Sequence, residues 1–305
     1  MGEEPSKRRR PIGQAASILS DVSETEIGID DVHVVGYGEN YRVFGATLQL
    51  DAQRRRVVVR LPRSTVAQQQ ARRLRKAVAI QRRLAGLNLD FEIPRPLALY
   101  SSAQGPAVIE SRISGTELPE HIGNDGVDPV NVTAAVAAEC HGIGLQKFED
   151  LMEFDEPGLD ADIELVSRSG LAGAREARRF LQRHRPPERR CLLHGDLLAQ
   201  NIIVERPTDG DSRSGLGVVD WEGCCIGDPA RELARITGGY DTVYATGQSR
   251  EELLEAYDRT SEFSVDSTSL RAYELIAIAR ASVDGDGDRR ERLQRRFSQV
   301  LERLT

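Results

Sequence analysis

The chain has 305 residues, enough for one large core or two smaller lobes, with 39% hydrophobic residues, 29% charged residues and a net charge of −7. That charge argues against a general nucleic-acid binder, which would carry a basic face, and no apolar run approaches the roughly 20 residues needed to span a bilayer. Cys140, Cys191, Cys224 and Cys225 form neither a disulfide framework nor a zinc spacing, so a reducing cytoplasm is the expected compartment.

Residues 1–15 carry the run Lys7-Arg8-Arg9-Arg10 with no long apolar segment behind it, which excludes a secretory signal and predicts a disordered, solvated leader. Short β-branched runs follow: Val32 to Val35, Tyr41 to Leu48 and Val57 to Leu61, divided by glycine and charged turns, as in an antiparallel meander. From Thr65 the period changes, with Leu74, Ala77, Ile80, Leu84 and Leu87 at helical spacing until Pro94 and Pro96 break it. Ala107 to Ile113 is one more short strand. Beyond Gly115 the pattern is mostly helical, clearest over Val130 to Phe148, Glu251 to Tyr257 and Leu270 to Ala281. Strand-like runs interrupt it at Cys191 to Val204 and Leu216 to Trp221, and the charged segment from Asp284 to Thr305 reads as a frayed helix. The expected division is a β-rich lobe over 16–112 and a helical lobe over 113–305, with a cleft between them.

Chemistry concentrates in Leu192-Leu193-His194-Gly195-Asp196-Leu197-Leu198-Ala199-Gln200-Asn201-Ile202, an apolar strand opening into a polar loop. The spacing H-x-D-x-x-x-x-N is that of a kinase catalytic loop. Phosphoryl transfer needs a carboxylate to take the acceptor proton and an amide oxygen nearby for Mg²⁺, which Asp196 and Asn201 could supply, with His194 packed behind them. A strand and turn with ordinary Asp and Asn turn residues stays open on this motif alone. A second element, Gly217-Val218-Val219-Asp220-Trp221-Glu222, ends a short apolar strand on carboxylates, which is costly unless they meet a cation. Asp220 is therefore the second expected Mg²⁺ ligand, while Glu222 either assists the metal or shapes the turn. Asp228 before Pro229 is expected to cap the next helix.

H-G-D-L-x-x-x-N, then V-D-W-E, then G-D-P-A-x-E-L-A resembles the aminoglycoside phosphotransferase and choline kinase-like family, over roughly residues 30 to 280. Ala138 to His141 resembles a helix end of that family, although a packed core histidine is the favoured reading of His141 alone. The resemblance implies an α+β, bilobal protein-kinase-like fold and a monomer. It implies an O-phosphotransferase using ATP or GTP with Mg²⁺, whose acceptor is a small molecule, foremost a cationic antibiotic of the aminoglycoside or macrolide type. A metabolic kinase acting on choline, homoserine or a sugar is the alternative, and a catalytically silent nucleotide-binding protein stands further back.

For the nucleotide, the resemblance points to Gly36, Gly38 and Asn40 in a loop over the phosphates, although G-x-G in a hairpin is more often a plain turn. It points also to main-chain groups over Glu110, Arg112 and Ile113 as the hinge. Family members place a lysine in the third strand, but this chain has only Lys7, Lys76 and Lys147, so Arg60 takes that place, as in macrolide phosphotransferases. The helix glutamate that usually orients this cation is missing, since residues 68–89 contain no acid. For a cationic acceptor the expectation falls on Asp155 and Glu156, within the acidic stretch from Glu149 to Asp160, Asp162 and Glu164, and on Glu222, while a solvated acidic face stays open as the alternative.

Overall fold

Helical spacing in the first twenty residues overrides their charge. A computed structural model describes residues 5–23, 25–37, 41–50, 52–65, 67–102, 104–122, 127–154, 158–205, 215–238, 247–283 and 287–304. Its first element is α1 (Pro5–Ser20), where a disordered leader over 1–15 was expected. Ile12, Ala15, Ala16 and Leu19 recur at three- and four-residue spacing and pack on the sheet, with Ala15 and Leu19 fully buried. Burying a leucine contributes roughly 1.5–3 kcal/mol, which favours a packed helix over a solvated coil.

β1 (His33–Tyr37), β2 (Tyr41–Leu50) and β3 (Gln53–Pro62) form the predicted meander, and after α2 (Gln68–Leu84) come β4 (Pro96–Ser102) and β5 (Gly105–Ser111). The sheet order is β1-β2-β3-β5-β4, with every pairing antiparallel. β4 was not foreseen, because Pro94 and Pro96 read as breakers; Pro96 instead starts an edge strand, where proline is tolerated. Period-two alternation splits the strands between two faces. Phe44, Ala46, Leu48, Val57, Val59, Ala107 and Ile109 face α1. Tyr41 and Val108 meet Leu74 and Val78 of α2 on the other face, and Arg60 and Glu110 lie on that side in register with Val108 and Val58.

The remaining elements are β6 (Thr116–Glu117), α3 (Pro129–Gly142), α4 (Leu159–Arg168), α5 (Ala174–Arg183), β7 (Cys191–Leu193), β8 (Ile202–Glu205), β9 (Gly215–Val218), β10 (Cys225–Gly227), α6 (Pro229–Gly238), α7 (Gly247–Thr260), α8 (Ser267–Val283) and α9 (Gly287–Glu302). α3 stops at Gly142, short of the expected Phe148, and residues 145–154 turn as a 3₁₀ helix. Asp128 caps α3, accepting from the N–H groups of Val130 and Asn131 at 2.9 and 3.3 Å. β7 pairs with β10, and β6 with β8; α3 packs on α7, and α8 on both α6 and α9.

The chain divides into two compact units. One holds Met1–Asn88, Glu92–Gly115 and Gly217–Glu222; the other holds Leu89–Phe91, Thr116–Leu216 and Gly223–Thr305. The expected boundary at 112/113 therefore needs a correction, because Asp220 and Glu222 belong with the sheet unit. Gly217 bridges to Glu92 in parallel, and the Val218 N–H donates to the Glu92 carbonyl at 2.8 Å. Among the described residues no helix is long and apolar enough to cross a membrane.

Candidate active site

In the helical unit the His194–Asn201 loop is built on one buried carboxylate. Glu232 of α6 is fully buried; its two oxygens accept from the His194 N–H at 2.8 Å and the Gly195 N–H at 2.6 Å. His141 sits against the same carboxylate, with Nε2 3.3 Å from Glu232 Oε2 and Nδ1 2.7 Å from the Tyr257 hydroxyl. Burial pushes the Glu232 pKa up, but His141, with help from His194, outweighs it and holds the carboxyl below its ordinary value. Glu232 stands inside the G-D-P-A-x-E-L-A motif, yet the sequence reading gave it no role; an acid on the inward face of an otherwise apolar helix turn was the available signal.

His194 is fully buried, and its Nδ1 accepts from the Asp196 N–H at 3.3 Å, which braces the loop. Asn201 donates Nδ2 to the Asp196 carbonyl at 2.7 Å and to Asp196 Oδ2 at 3.2 Å. This orients the Asp196 carboxylate. Gly195 has φ +81°, and a Cβ there would lie 1.9 Å from the Gly223 carbonyl oxygen, so only glycine fits. Asp228 caps α6 through the Ala230 N–H at 2.8 Å and also accepts from Arg189, a structural role as expected. A cavity of about 250 Å³ opens beside Asp196, lined also by Leu198, Tyr273, Ile276 and Arg235.

In the sheet unit Arg60 projects from β3 into a group of carboxylates. Its Nη2 donates to Glu222 Oε1 and, at 3.2 Å, to Asp220 Oδ1, while its Cζ lies 5.6 Å from the centre of the Tyr41 ring. Burial alone would lower the Arg60 pKa, but Glu222, then Asp220 and Glu110, hold it above its ordinary value. Glu110 is buried and accepts from Gln81 of α2 at 3.1 Å, and burial raises its pKa. Asp220 adopts φ +67°, a costly backbone for a non-glycine residue, held in place by Trp221, whose buried indole donates to the Val218 carbonyl at 2.9 Å.

The other expected positions fall out unevenly. Gly36 lies at an irregularity of the β1–β2 pairing, where a Cβ would meet nothing within 4 Å, so no close approach there demands glycine. Arg112 donates its N–H to the Arg56 carbonyl at 3.0 Å and pairs its side chain with His33, so its main-chain donor is already engaged; Ile113 packs on Gly217. Gly38, Asn40, Asp155 and Glu156 lie outside the described residues. Three other acids of the expected cation-attracting stretch are paired. Asp160 meets Arg185 at 2.7 Å, Glu164 meets Arg168 at 2.7 Å, and buried Asp162 lies between Arg231 and Arg280. Glu222, a weak acceptor candidate on sequence, pairs with Arg60.

A hard cation such as Mg²⁺ prefers oxygen donors, and each unit taken by itself carries one: the 43%-exposed Asp220 carboxylate in the sheet unit and the Asn201 amide in the helical unit. Among the described residues no cluster of three His, Cys, Asp or Glu side chains could hold a metal unaided.

Residues 45–274 match the family model described as the phosphotransferase enzyme family. Viomycin phosphotransferase of Streptomyces vinaceus is 31% identical over 186 residues, a match covering 56% of this chain and 64% of that protein, just under two thirds of the relative's length. Among solved structures, the GDP complex of an aminoglycoside 2'-phosphotransferase-IIIa mutant superposes with a TM-score of 0.67 at 17% identity, covering 95% of each chain. The complex of spectinomycin phosphotransferase APH(9)-Ia with ADP and spectinomycin gives 0.56 at 15% identity, covering 96% of this chain and 97% of that one. A likeness this extensive at such low identity shows the fold, so the α+β protein-kinase-like architecture expected from the motifs is the one observed. With three quarters of its length inside the family model, the chain belongs to the phosphotransferase enzyme family.

Proposed function

We propose that the chain is a nucleotide- and Mg²⁺-dependent O-phosphotransferase acting on a hydroxyl of a small molecule of the antibiotic type. The observation that carries this reading is the His194–Asn201 loop, which Glu232 holds by its backbone and from which Asp196 emerges braced by Asn201. In the reaction Asp196 takes the proton of the acceptor hydroxyl. The acceptor oxygen bonds to the γ-phosphorus, the bond from that phosphorus to the β–γ bridging oxygen breaks, and the nucleoside diphosphate leaves with the electron pair. Arg60 binds phosphate oxygens through its guanidinium. Asn201 and Asp220 would hold Mg²⁺, which when bound neutralises phosphate charge.

Support for the antibiotic class comes from the relatives, whose names include viomycin phosphotransferase and whose solved complexes contain GDP or ADP and, in one, spectinomycin. A cationic acceptor draws little support from the acids at 160, 162 and 164, because arginines already neutralise them. The deciding experiment incubates purified protein, Mg²⁺ and ATP or GTP with viomycin, spectinomycin, aminoglycosides, macrolides, choline, homoserine and sugars. It reads acceptor-dependent release of nucleoside diphosphate. Release that depends on an antibiotic and disappears in Asp196→Asn is the expected result. Release with choline, homoserine or a sugar alone would replace the antibiotic by a metabolic substrate. No acceptor-dependent release above the Asp196→Asn background would overturn the phosphotransferase reading.

A further inference from the structure

A cation that must grip phosphate needs a carboxylate to fix its rotamer, and α2 cannot supply one. Residues 68–89 contain no Asp or Glu, and Gln81, the buried amide of α2, donates to Glu110. We propose that Glu222 is the positioning residue for Arg60, a role taken by the short segment after β9 instead of by the helix. This inference rests on reading Arg60 as the phosphate-binding cation.

Three observations carry it. Glu222 and Arg60 are both largely shielded, their side chains 19% and 13% exposed, so their contact is less screened than a surface pair. Tyr41 lies against the guanidinium, and its phenol is raised to about 12, first by burial and next by Glu222, which places that carboxylate's field inside the same group. Among the described contacts, protein carboxylates reach the guanidinium only through Nη2, and buried Arg60 Nε has no partner. Deleting Glu222 therefore leaves Asp220 at 3.2 Å and the ring as the holds on its direction. One three-residue stretch, Asp220-Trp221-Glu222, then governs a proposed metal ligand and the phosphate-binding cation together, anchored by Trp221.

Glu222 could instead only shape its turn, or could itself ligate Mg²⁺, and the test separates the three roles. Full-length protein is titrated with AMP-PNP, and with a non-hydrolysable GTP analogue in parallel, at a series of Mg²⁺ concentrations. Glu222→Gln keeps the shape and removes the charge; it should weaken nucleotide binding about tenfold, the scale of a lost charge-assisted hydrogen bond, while the half-saturating Mg²⁺ concentration stays as in wild type. Glu222→Asp should restore most of the affinity. The double variant Arg60→Gln with Glu222→Gln should bind no worse than Arg60→Gln alone, because residues acting through one another are non-additive. Unchanged affinity in Glu222→Gln overturns the inference in favour of a turn residue. A raised Mg²⁺ requirement that adds to the effect of Arg60→Gln overturns it in favour of a metal ligand. Wild-type protein that binds neither analogue overturns the phosphotransferase reading along with it, whereas the first two outcomes leave that reading standing.

Discussion

Glu232, fully buried, and Arg60, largely shielded, are charges at the heart of their units, and they are held in opposite ways. Glu232 is gripped by two main-chain N–H groups and a histidine that is itself fixed by Tyr257. Backbone donors cannot swing away, so this carboxylate and the loop above it form one rigid piece. Arg60 is held by side-chain carboxylates through a single nitrogen, next to a backbone strained at Asp220. Those partners can yield to another anion. On the proposed function, the difference separates a fixed scaffold from a grip that exchanges its carboxylates for phosphate.

The largest effect belongs to the group the rigid side presents. Asp196→Asn should reduce turnover about 10²–10⁴-fold, the usual contribution of a positioned general base, with nucleotide affinity close to wild type in a binding titration. Turnover within a few-fold of wild type would mean another group takes the proton. Gly195→Ala attacks the same piece by shape. A left-handed backbone costs alanine roughly 1–2 kcal/mol before the clash with Gly223 is counted. A loss of more than about 2 kcal/mol in denaturant unfolding is therefore expected; a neutral result would show that the loop relaxes and is not rigid.

Glu232→Gln probes the charge and should cost about 1–3 kcal/mol, since hydrogen bonds to the ionised carboxylate weaken. The pH dependence has a definite sign. Because the folded pKa of Glu232 is depressed, its stabilisation is fully present above the unfolded value near 4.3 and is lost as pH falls through the lower folded value. The stability gap between wild type and Glu232→Gln, followed by urea unfolding, should hold from pH 7 to about pH 5 and close towards pH 3. A gap that widens in acid would mean that the carboxyl is not the lowered one.

How much of this was legible differs by scale. Asp196, Asn201 and Asp220 stood out as candidates because they are packed into short motifs, and the meander could be read because β-branched alternation is local. α1 was written just as locally, at Ile12, Ala15, Ala16 and Leu19, but the Lys7–Arg10 run drew attention to charge ahead of period. Glu232 and Glu222 were on view without their roles, since a role defined by a partner 38 or 162 positions away leaves no trace in spacing. Nor could spacing show that Asp162 of the acidic stretch is already paired, since its arginines come from helices far along the chain.

Arg60→Lys is the mildest change and the finest test of the contrast between grip and scaffold. Lysine keeps the charge and can still meet Glu222 and Asp220, but it gives up the planar fork and the flat contact with Tyr41. If the cation is held by exchangeable side chains, the pocket should accept a point charge with only a few-fold change in nucleotide affinity, the scale of one exposed cation–π contact. The Mg²⁺ dependence should be unaltered, because Asp220 and Asn201 are untouched. Adding Glu222→Gln in the Arg60→Lys background should again weaken binding, since the lysine still needs its carboxylate. Should Arg60→Lys abolish turnover as deeply as Asp196→Asn, the cation would be as geometrically fixed as the loop, and the distinction between the two buried charges would collapse.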